Sequence, residues 1–358
     1  MPRPIHARID SSALKHNLQV ARSTSNARIM AVIKADAYGH GLLRAAEALK
    51  AVDGFALLDV CDAVRLRNAG FRQTILLLEG FFTTDDLPLV AEHKIDCVIH
   101  NQEQISMLDD YPHHGSLGVW LKITSGMNRL GFTPDKALTA LEKLQAHPAV
   151  RDITLMTHFS HADERTGIAT QLDAFTTLTA PYHMARSLAN SAALLRHPES
   201  HAEWVRPGIM LYGASPFAEI SAEQLGLRPV MTLESRILAV QELRIGDCVG
   251  YGGLFIAETP MRVGVVACGY ADGYPRHAST GTPVLVEGHR TRVLGRVSMD
   301  MLTVDLSAVP TANVGSSVTL WGKGLPVEEV AHTSGTISYE LLCALSARVP
   351  IIASPETA

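Results

Sequence analysis

The stretch Arg28-Ile-Met-Ala-Val-Ile-Lys-Ala-Asp-Ala-Tyr-Gly-His-Gly41 sets how the rest of the chain is read. Ile29–Ile33 is an unbroken apolar run of a length that suits a strand buried on both faces, and Lys34 stands at its C-terminal end. A glycine-containing loop and an amphipathic helical pattern, Leu42–Lys50, follow it. An ammonium group at the edge of an apolar strand loses hydration, so its pKa falls and the free amine becomes available for carbonyl chemistry. The plainer reading is a lysine that snorkels from the strand end or pairs with Asp36.

Outward from this stretch a rhythm sets in. Apolar runs recur at Ile29–Ile33, Phe55–Leu58, Thr74–Leu78, Asp96–Ile99, Gly118–Ile123, Ile153–Met156, Ser187–Ala189 and Trp204–Leu211. Helical patterns separate most of them: Leu42–Lys50, Val60–Asn68, Thr84–His93, Gln102–Asp110, Pro134–Ala146 and Gln171–Met184. Strands alternating with helices imply βαβ units, and eight such strands within about 200 residues suit a closed (β/α)8 TIM-like barrel. A further helix is expected from Ser11 to Ser23, with Asp10 or Ser11 as its N-cap.

Past Tyr212-Gly213 the pattern changes. Segments such as Pro229–Leu243, Arg262–Cys268, Pro283–Val286, Arg290–Val297, Leu302–Leu306 and Ser316–Trp321 are separated by Gly, Pro and Asp turns, which describes a mainly β second domain. Two helical patterns, Val327–Thr333 and Tyr339–Leu345, come after them. The expected division is 1–222 for the barrel and 223–358 for the β domain, with residues 1–8 free to pack on the second.

The chain's 358 residues are 47% hydrophobic and 19% charged, with a formal net charge of -5, as in an ordinary globular protein with ample core. No basic stripe suggests a nucleic-acid partner. The 5 cysteines are scattered and never form a CxxC pair, which argues against a disulfide framework or a zinc ribbon. No long apolar run follows Met1-Pro-Arg-Pro, so neither a secretory signal nor a membrane anchor is expected, and the inferred setting is cytoplasmic.

Barrel active sites are assembled at the C-terminal ends of the strands. Lys34, Lys122, His158, Ser191 and Arg206 all fall at or near such ends. Asn190-Ser-Ala-Ala193 opens a helix-like segment, and Arg206-Pro-Gly-Ile209 brings a glycine close by. The Ser191 hydroxyl and the backbone N–H groups of Gly208 and Ile209 could cup a phosphate, although Ser191 could equally be a plain helix cap. His158, His161, Asp163 and Glu164 match no helix-borne metal motif, and no metal is expected.

A lysine reactive toward carbonyls plus a phosphate cup points to pyridoxal 5'-phosphate. Val32-Ile-Lys-Ala-Asp-Ala-Tyr-Gly-His-Gly41 resembles the cofactor-lysine signature of the bacterial alanine racemases. Similar blocks follow in that family's order: Lys122-Ile-Thr-Ser-Gly-Met-Asn-Arg-Leu-Gly-Phe132, Thr157-His-Phe-Ser-His-Ala-Asp-Glu164, Arg206-Pro-Gly-Ile-Met-Leu-Tyr-Gly213, Val249-Gly-Tyr-Gly252, Gly269-Tyr-Ala-Asp-Gly-Tyr274, Gly295-Arg-Val-Ser-Met-Asp300 and Thr336-Ile-Ser-Tyr-Glu340.

The resemblance implies racemisation of L- and D-alanine in a homodimer, for peptidoglycan precursor supply or alanine catabolism. Lys34 would carry the cofactor and act as base on one face of the substrate Cα. Racemisation needs a second proton carrier on the opposite face, because one group working on one side returns the same enantiomer. Tyr251 matches it, contributed across the subunit interface, and a phenol needs cationic surroundings to act as a base. Tyr270, Met299 and Asp300 would shape the wall from the same side.

By the same resemblance, Tyr38, Ser191, Gly208, Ile209 and Tyr339 would hold the phosphate, His158 would pack beside the ring, and Arg206 would face its nitrogen. Arg129 would brace the substrate carboxylate. Lys122 matches a lysine often carbamylated in the family, but Thr124 stands where relatives commonly carry Asp or Asn, which leaves the modification open. Other readings are a racemase of broader specificity that accepts serine, a cofactor-carrying barrel without turnover, and a decarboxylase on a similar plan. The long β domain and Tyr251 separate the expected function from the last two.

Overall fold

The computed structural model of the protein describes residues 3–111 and 117–353. The chain starts in β1 (His6–Ile9) and enters a helix, Ser11–Thr24, whose N-cap is Asp10: its carboxylate accepts hydrogen bonds from the backbone N–H groups of Ser12 and Ala13. Then come β2 (Arg28–Val32), β3 (Gly54–Leu57), β4 (Thr74–Leu77), β5 (Asp96–Ile99), β6 (Leu117–Lys122), β7 (Val150–Met156), β8 (Ala185–Ser187) and β9 (Trp204–Val205). They form a closed barrel of parallel strands, sealed where Arg28 and Ile29 of β2 pair with Trp204 and Val205 of β9. Every residue of β3, β5 and β6 is buried, which is why these strands are written as nearly continuous apolar runs rather than alternations, with Asp96 opening β5 and Lys122 closing β6 as the charged exceptions.

Three local expectations are corrected. The eighth strand does not run from Trp204 to Leu211: it stops at Val205, and Ile209–Tyr212 is a 3-10 turn. Pro207 has no N–H for a ladder, and Gly213 at φ 78° ends the turn where a side chain would strike the Arg228 carbonyl. The seventh strand lies two residues earlier than expected, at Ala185–Ser187. The segment after Lys34 is not an open loop: Ala35, Asp36, Ala37 and Tyr38 all have φ between 50 and 55°, giving a left-handed helical turn, Lys34–Gly39.

The second part is a sheet built from β10 (Met231–Leu243), β13 (Met261–Val266), β14 (Pro283–Val286), β15 (His289–Leu294), β16 (Leu302–Asp305), β17 (Ser317–Trp321) and β18 (Ile351–Ala353). β11 (Cys248–Val249) and β12 (Phe255–Ile256) form a separate hairpin. The sheet order is β13-β16-β15-β14-β17-β10-β1-β18, and β10 also reaches round to pair with β13. A register shift between Ile237 and Ala239 lets that long strand bend between partners.

β1 pairs antiparallel with β10 and parallel with β18, so the first strand of the chain belongs to the last sheet. One continuous apolar core joins barrel and sheet, while Val249, Val263 and Leu294 make a small cluster under the hairpin. Among the described residues, no helix is long and apolar enough to cross a membrane.

Candidate active site

At the C-terminal mouth of the barrel lies a cavity of about 700 Å³. It is lined by Lys34, Tyr38, Lys122, Arg129, His158, Ser191, Arg206, Gly208, Ile209 and Tyr339, the sequence-derived candidates contributed by the barrel and by the last helix. Tyr251, Tyr270, Met299 and Asp300 do not line it. They lie on the β part, with Tyr251 71% and Met299 53% exposed.

The left-handed turn positions the first of these groups. Ala37 N–H donates to the Ile33 carbonyl at 2.9 Å, and the chain leaves the turn through Gly41 N–H to Asp36 O, also 2.9 Å. The Asp36 carboxylate accepts from Leu42 N–H at 2.7 Å, so it starts the next helix and is not committed to Lys34. Burial lowers the Lys34 pKa and the nearby Arg129 charge lowers it further, while Glu79 pulls the other way. Tyr38 stacks on Tyr212 at 4.6 Å between ring centroids, and the Tyr212 hydroxyl donates to the Val32 carbonyl at 2.9 Å, fixing the strand end from below.

Arg206 is buried and stretches across the barrel floor. It donates to the Ser187 hydroxyl at 2.6 Å and to the carbonyls of Thr157 and Leu188 at 2.7 and 3.2 Å. Burial lowers its guanidinium to about 9, which leaves it cationic at neutral pH. His158 sits with Nδ1 3.5 Å from this guanidinium. Burial first, and then the charges of Arg206, Lys122, Arg129 and Lys34, hold the imidazole well below its usual range and therefore neutral.

Lys122 ends β6 inside the cavity; burial, Arg206, Arg129 and Lys34 lower its ammonium to about 8. Beyond it the chain makes a closed excursion. Phe132 N–H returns to the Lys122 carbonyl at 2.8 Å and Thr124 N–H donates to the Phe132 carbonyl at 2.9 Å. The Thr124 hydroxyl accepts from Asn128 N–H at 3.0 Å, which organises the loop that presents Arg129 to the cavity.

Ser191 is not a helix cap. Asn190 takes that place by accepting from Ala193 N–H at 3.0 Å, and the Ser191 hydroxyl is left to receive Gly208 N–H at 2.8 Å. A Cβ on Gly208 would lie 2.6 Å from the Tyr38 hydroxyl, so the glycine keeps this pocket end open. Burial pushes the phenols of Tyr38 and Tyr339 well above their ordinary range and keeps both protonated as donors.

Two ionisable lining residues were not singled out from the sequence as site candidates. Glu79, just past β4, is the one carboxylate on the cavity wall among the described residues, and an acid closing the apolar run Thr74–Leu78 was its visible signal. Cys343 comes from the helix Ser338–Cys343 of the β part, and nothing local marks it.

On the β part, Asp272 is fully buried and binds Arg3 and Arg348, each at 2.7 Å; Arg348 also holds Asp300 at 2.7 Å. Burial opposes ionisation of Asp272, but hydrogen bonds from Arg3, Arg348 and Gly269 N–H outweigh it and lower its pKa. Tyr270 N–H donates to Ser298 O at 3.1 Å and Ala271 N–H to Met299 O at 3.0 Å, so the network clamps together the loops that carry Tyr270, Met299 and Asp300.

Comparison with known proteins gives the family. Residues 9–216 match the family model for the alanine racemase N-terminal domain and residues 230–353 that for the C-terminal domain. The alanine racemase of Nitrosospira multiformis is 61% identical over 353 residues, covering 98% of this chain and 99% of the relative. That of Nitrosomonas eutropha is 58% identical over 358 residues, again covering 98% and 99%. The crystal structure of the biosynthetic alanine racemase from Pseudomonas aeruginosa superposes with a TM-score of 0.96 at 46% identity, covering 99% of this chain and 100% of that one. The chain is an enzyme of the alanine racemase family.

Proposed function

We propose that this chain interconverts L- and D-alanine with pyridoxal 5'-phosphate held in the barrel cavity, and that it works as a homodimer. The observation that carries the reading is the charge of the cavity: Lys34, Lys122, Arg129 and Arg206 line it together, with Glu79 the single carboxylate on the wall among the described residues. Such a site favours a ligand set bearing several negative charges, as a phosphorylated carbonyl compound and an amino acid carboxylate together would. Ser191, Gly208, Ile209, Tyr38 and Tyr339 line the same cavity and would hold the phosphate of such a cofactor, with Gly208 leaving free the space beside the Tyr38 hydroxyl that a Cβ would take.

When bound, pyridoxal phosphate supplies a carbonyl carbon for amine capture and an electron-withdrawing ring that acidifies the substrate Cα. Lys34 would hold the cofactor and, once the substrate amine has taken its place there, exchange a proton with Cα on one face; burial and the Arg129 charge, which lower its pKa, favour the free amine that this needs. Tyr251 of a second copy serves the opposite face; its exposure on the β11–β12 hairpin, next to exposed Leu254 and Ile256, supports delivery into another subunit. Arg206 can hold a ring nitrogen without surrendering its own proton. His158, kept neutral, offers a flat uncharged neighbour for the ring. Arg129 orients the substrate carboxylate, and Tyr270, Met299 and Asp300 complete the wall from the partner side.

Lys122 has the chemistry of a carbamylation site. With a pKa of about 8 it is partly neutral near physiological pH. Its Nζ lone pair can then bond to the carbon of carbon dioxide while the amine loses a proton, which replaces a crowded cation with an anion beside Arg129. Supply of D-alanine for peptidoglycan, or alanine catabolism, follows as the physiological role, and five free cysteines suit a cytoplasmic setting. Incubating the purified protein with L-alanine in heavy water tests the proposal. Deuterium at Cα of both enantiomers is expected; no exchange, or release of carbon dioxide, rejects it.

A further inference from the structure

His40 has no place in the chemistry above, yet it is fully buried one residue beyond the left-handed turn. Its Nδ1 lies 3.0 Å from the Ala37 carbonyl and 2.8 Å from the Tyr38 carbonyl, two acceptors that require a proton on that nitrogen. Among the described residues its Nε2 has no hydrogen-bond partner. The ring packs against Tyr212 at 4.7 Å, on the same tyrosine that stacks with Tyr38. A left-handed turn of non-glycine residues is unfavourable because each Cβ crowds the following carbonyl oxygen, and here four in succession adopt it. A buried imidazole with an unsatisfied nitrogen is also unfavourable, and a phenyl ring of similar size would avoid that penalty. What phenyl lacks is the Nδ1–H that ties together the carbonyls of Ala37 and Tyr38.

We infer that His40 is a positioning residue: its Nδ1–H locks the left-handed turn so that the Lys34 amine and the Tyr38 hydroxyl meet the cofactor in fixed register. The inference rests on the cofactor reading, but the turn also sets the surroundings of Lys34 before anything binds. Burial lowers the His40 imidazole to about 4, so the ring is neutral at neutral pH and its single N–H is the one that the two carbonyls hold on Nδ1.

Three substitutions separate the lock from bulk packing. His40→Asn places an amide N–H where Nδ1–H stands, His40→Gln moves the donor outward toward the Nε2 position, and His40→Phe keeps the stack without any donor. Two readouts are taken on purified protein: pyridoxal phosphate affinity, and the pH dependence of Lys34 acylation in cofactor-free protein followed by mass spectrometry. His40→Asn should behave like the parent. His40→Phe and His40→Gln should bind pyridoxal phosphate about tenfold more weakly, the effect of losing roughly one buried hydrogen bond, with a shifted Lys34 acylation profile.

Equal affinity and equal acylation in all three variants overturn the inference, as does a His40→Asn protein that loses as much as His40→Gln. If His40→Phe does not fold, the Asn and Gln pair decides alone. A parent protein that binds no pyridoxal phosphate rejects the cofactor reading, and the acylation readout still decides the role of His40.

Discussion

Gly39 and Leu342 are in backbone contact across the two parts of the chain: a Cβ on Gly39 would fall 2.3 Å from the Leu342 carbonyl oxygen. Gly39 ends the turn that begins at Lys34, and Leu342 lies in the helix that carries Tyr339 and Cys343 into the same cavity. The β part therefore closes one side of its own barrel's site.

Gly39→Ala is expected to disturb this junction twice over, through the clash and through φ of 78°. A loss of about 2 kcal/mol or more is anticipated, read as a lower denaturation midpoint together with weaker cofactor binding. Unchanged midpoint and affinity would mean that the helix can shift at no cost.

Subunit sharing is testable by mixing inactive variants. Lys34→Ala should lose the borohydride-trappable cofactor bond, and Tyr251→Phe should keep it while slowing proton exchange far more in one direction than the other. If Tyr251 serves the neighbouring subunit, redistributed mixed dimers contain one intact site, and a 1:1 mixture should recover about a quarter of the parent activity. Recovery absent after verified subunit exchange places both groups in one chain's site.

The ammonium of Lys122, lowered from 10.5 to about 8 by burial and neighbouring cations, links stability to pH. The unfolded chain binds the proton more tightly, so stability of the cofactor-free, unmodified protein should rise as pH increases from about 8 toward 10.5. Lys122→Met should abolish that slope and raise stability at pH 7 by up to about 3 kcal/mol. In bicarbonate-equilibrated protein the opposite is expected, because the carbamate would be an anion among arginines. A 13C-bicarbonate NMR experiment on parent and variant separates the two states.

Asp272 provides the acid-side counterpart. Its lowered pKa means that its contribution to stability is present above the ordinary carboxylate range and is lost as pH falls through the lowered value. Asp272→Asn should release Arg3 and Arg348, loosen the loops of Tyr270 and Met299, and raise KM for alanine several-fold. Cofactor affinity should hold, since Asp272 does not line the cavity. Loss of affinity equal to the KM effect would contradict the clamp.

Arg206→Lys tests the barrel floor. A single ammonium cannot replace donors to Ser187, Thr157 O and Leu188 O together, and about 1–3 kcal/mol of stability should be lost for the acceptors left unpaired. The absorbance of bound cofactor should shift as well. A variant with parent stability and spectrum would show that only the charge matters.

Much of this molecule is written locally. Doubly buried parallel strands need predominantly apolar runs, so Phe55–Leu58 and, after its opening acid, Asp96–Ile99 mark barrel strands by composition, and the helices Val60–Asn68 and Pro134–Ala146 begin and end where their periodicity does. The placement of Lys34, Lys122, His158 and Arg206 at one end of that barrel follows from strand polarity alone. Tertiary structure decided what local pattern does not encode. The left-handed turn after Lys34 runs against the propensity of its Ala-Asp-Ala-Tyr sequence and is fastened by His40 and the contact at Leu342. The eighth strand is cut short because Pro207 cannot continue the ladder. Cys343 and Tyr339 reach the cavity, and β1 joins the last sheet, through pairings between segments hundreds of residues apart, whose register depends on the packed whole rather than on any window of sequence.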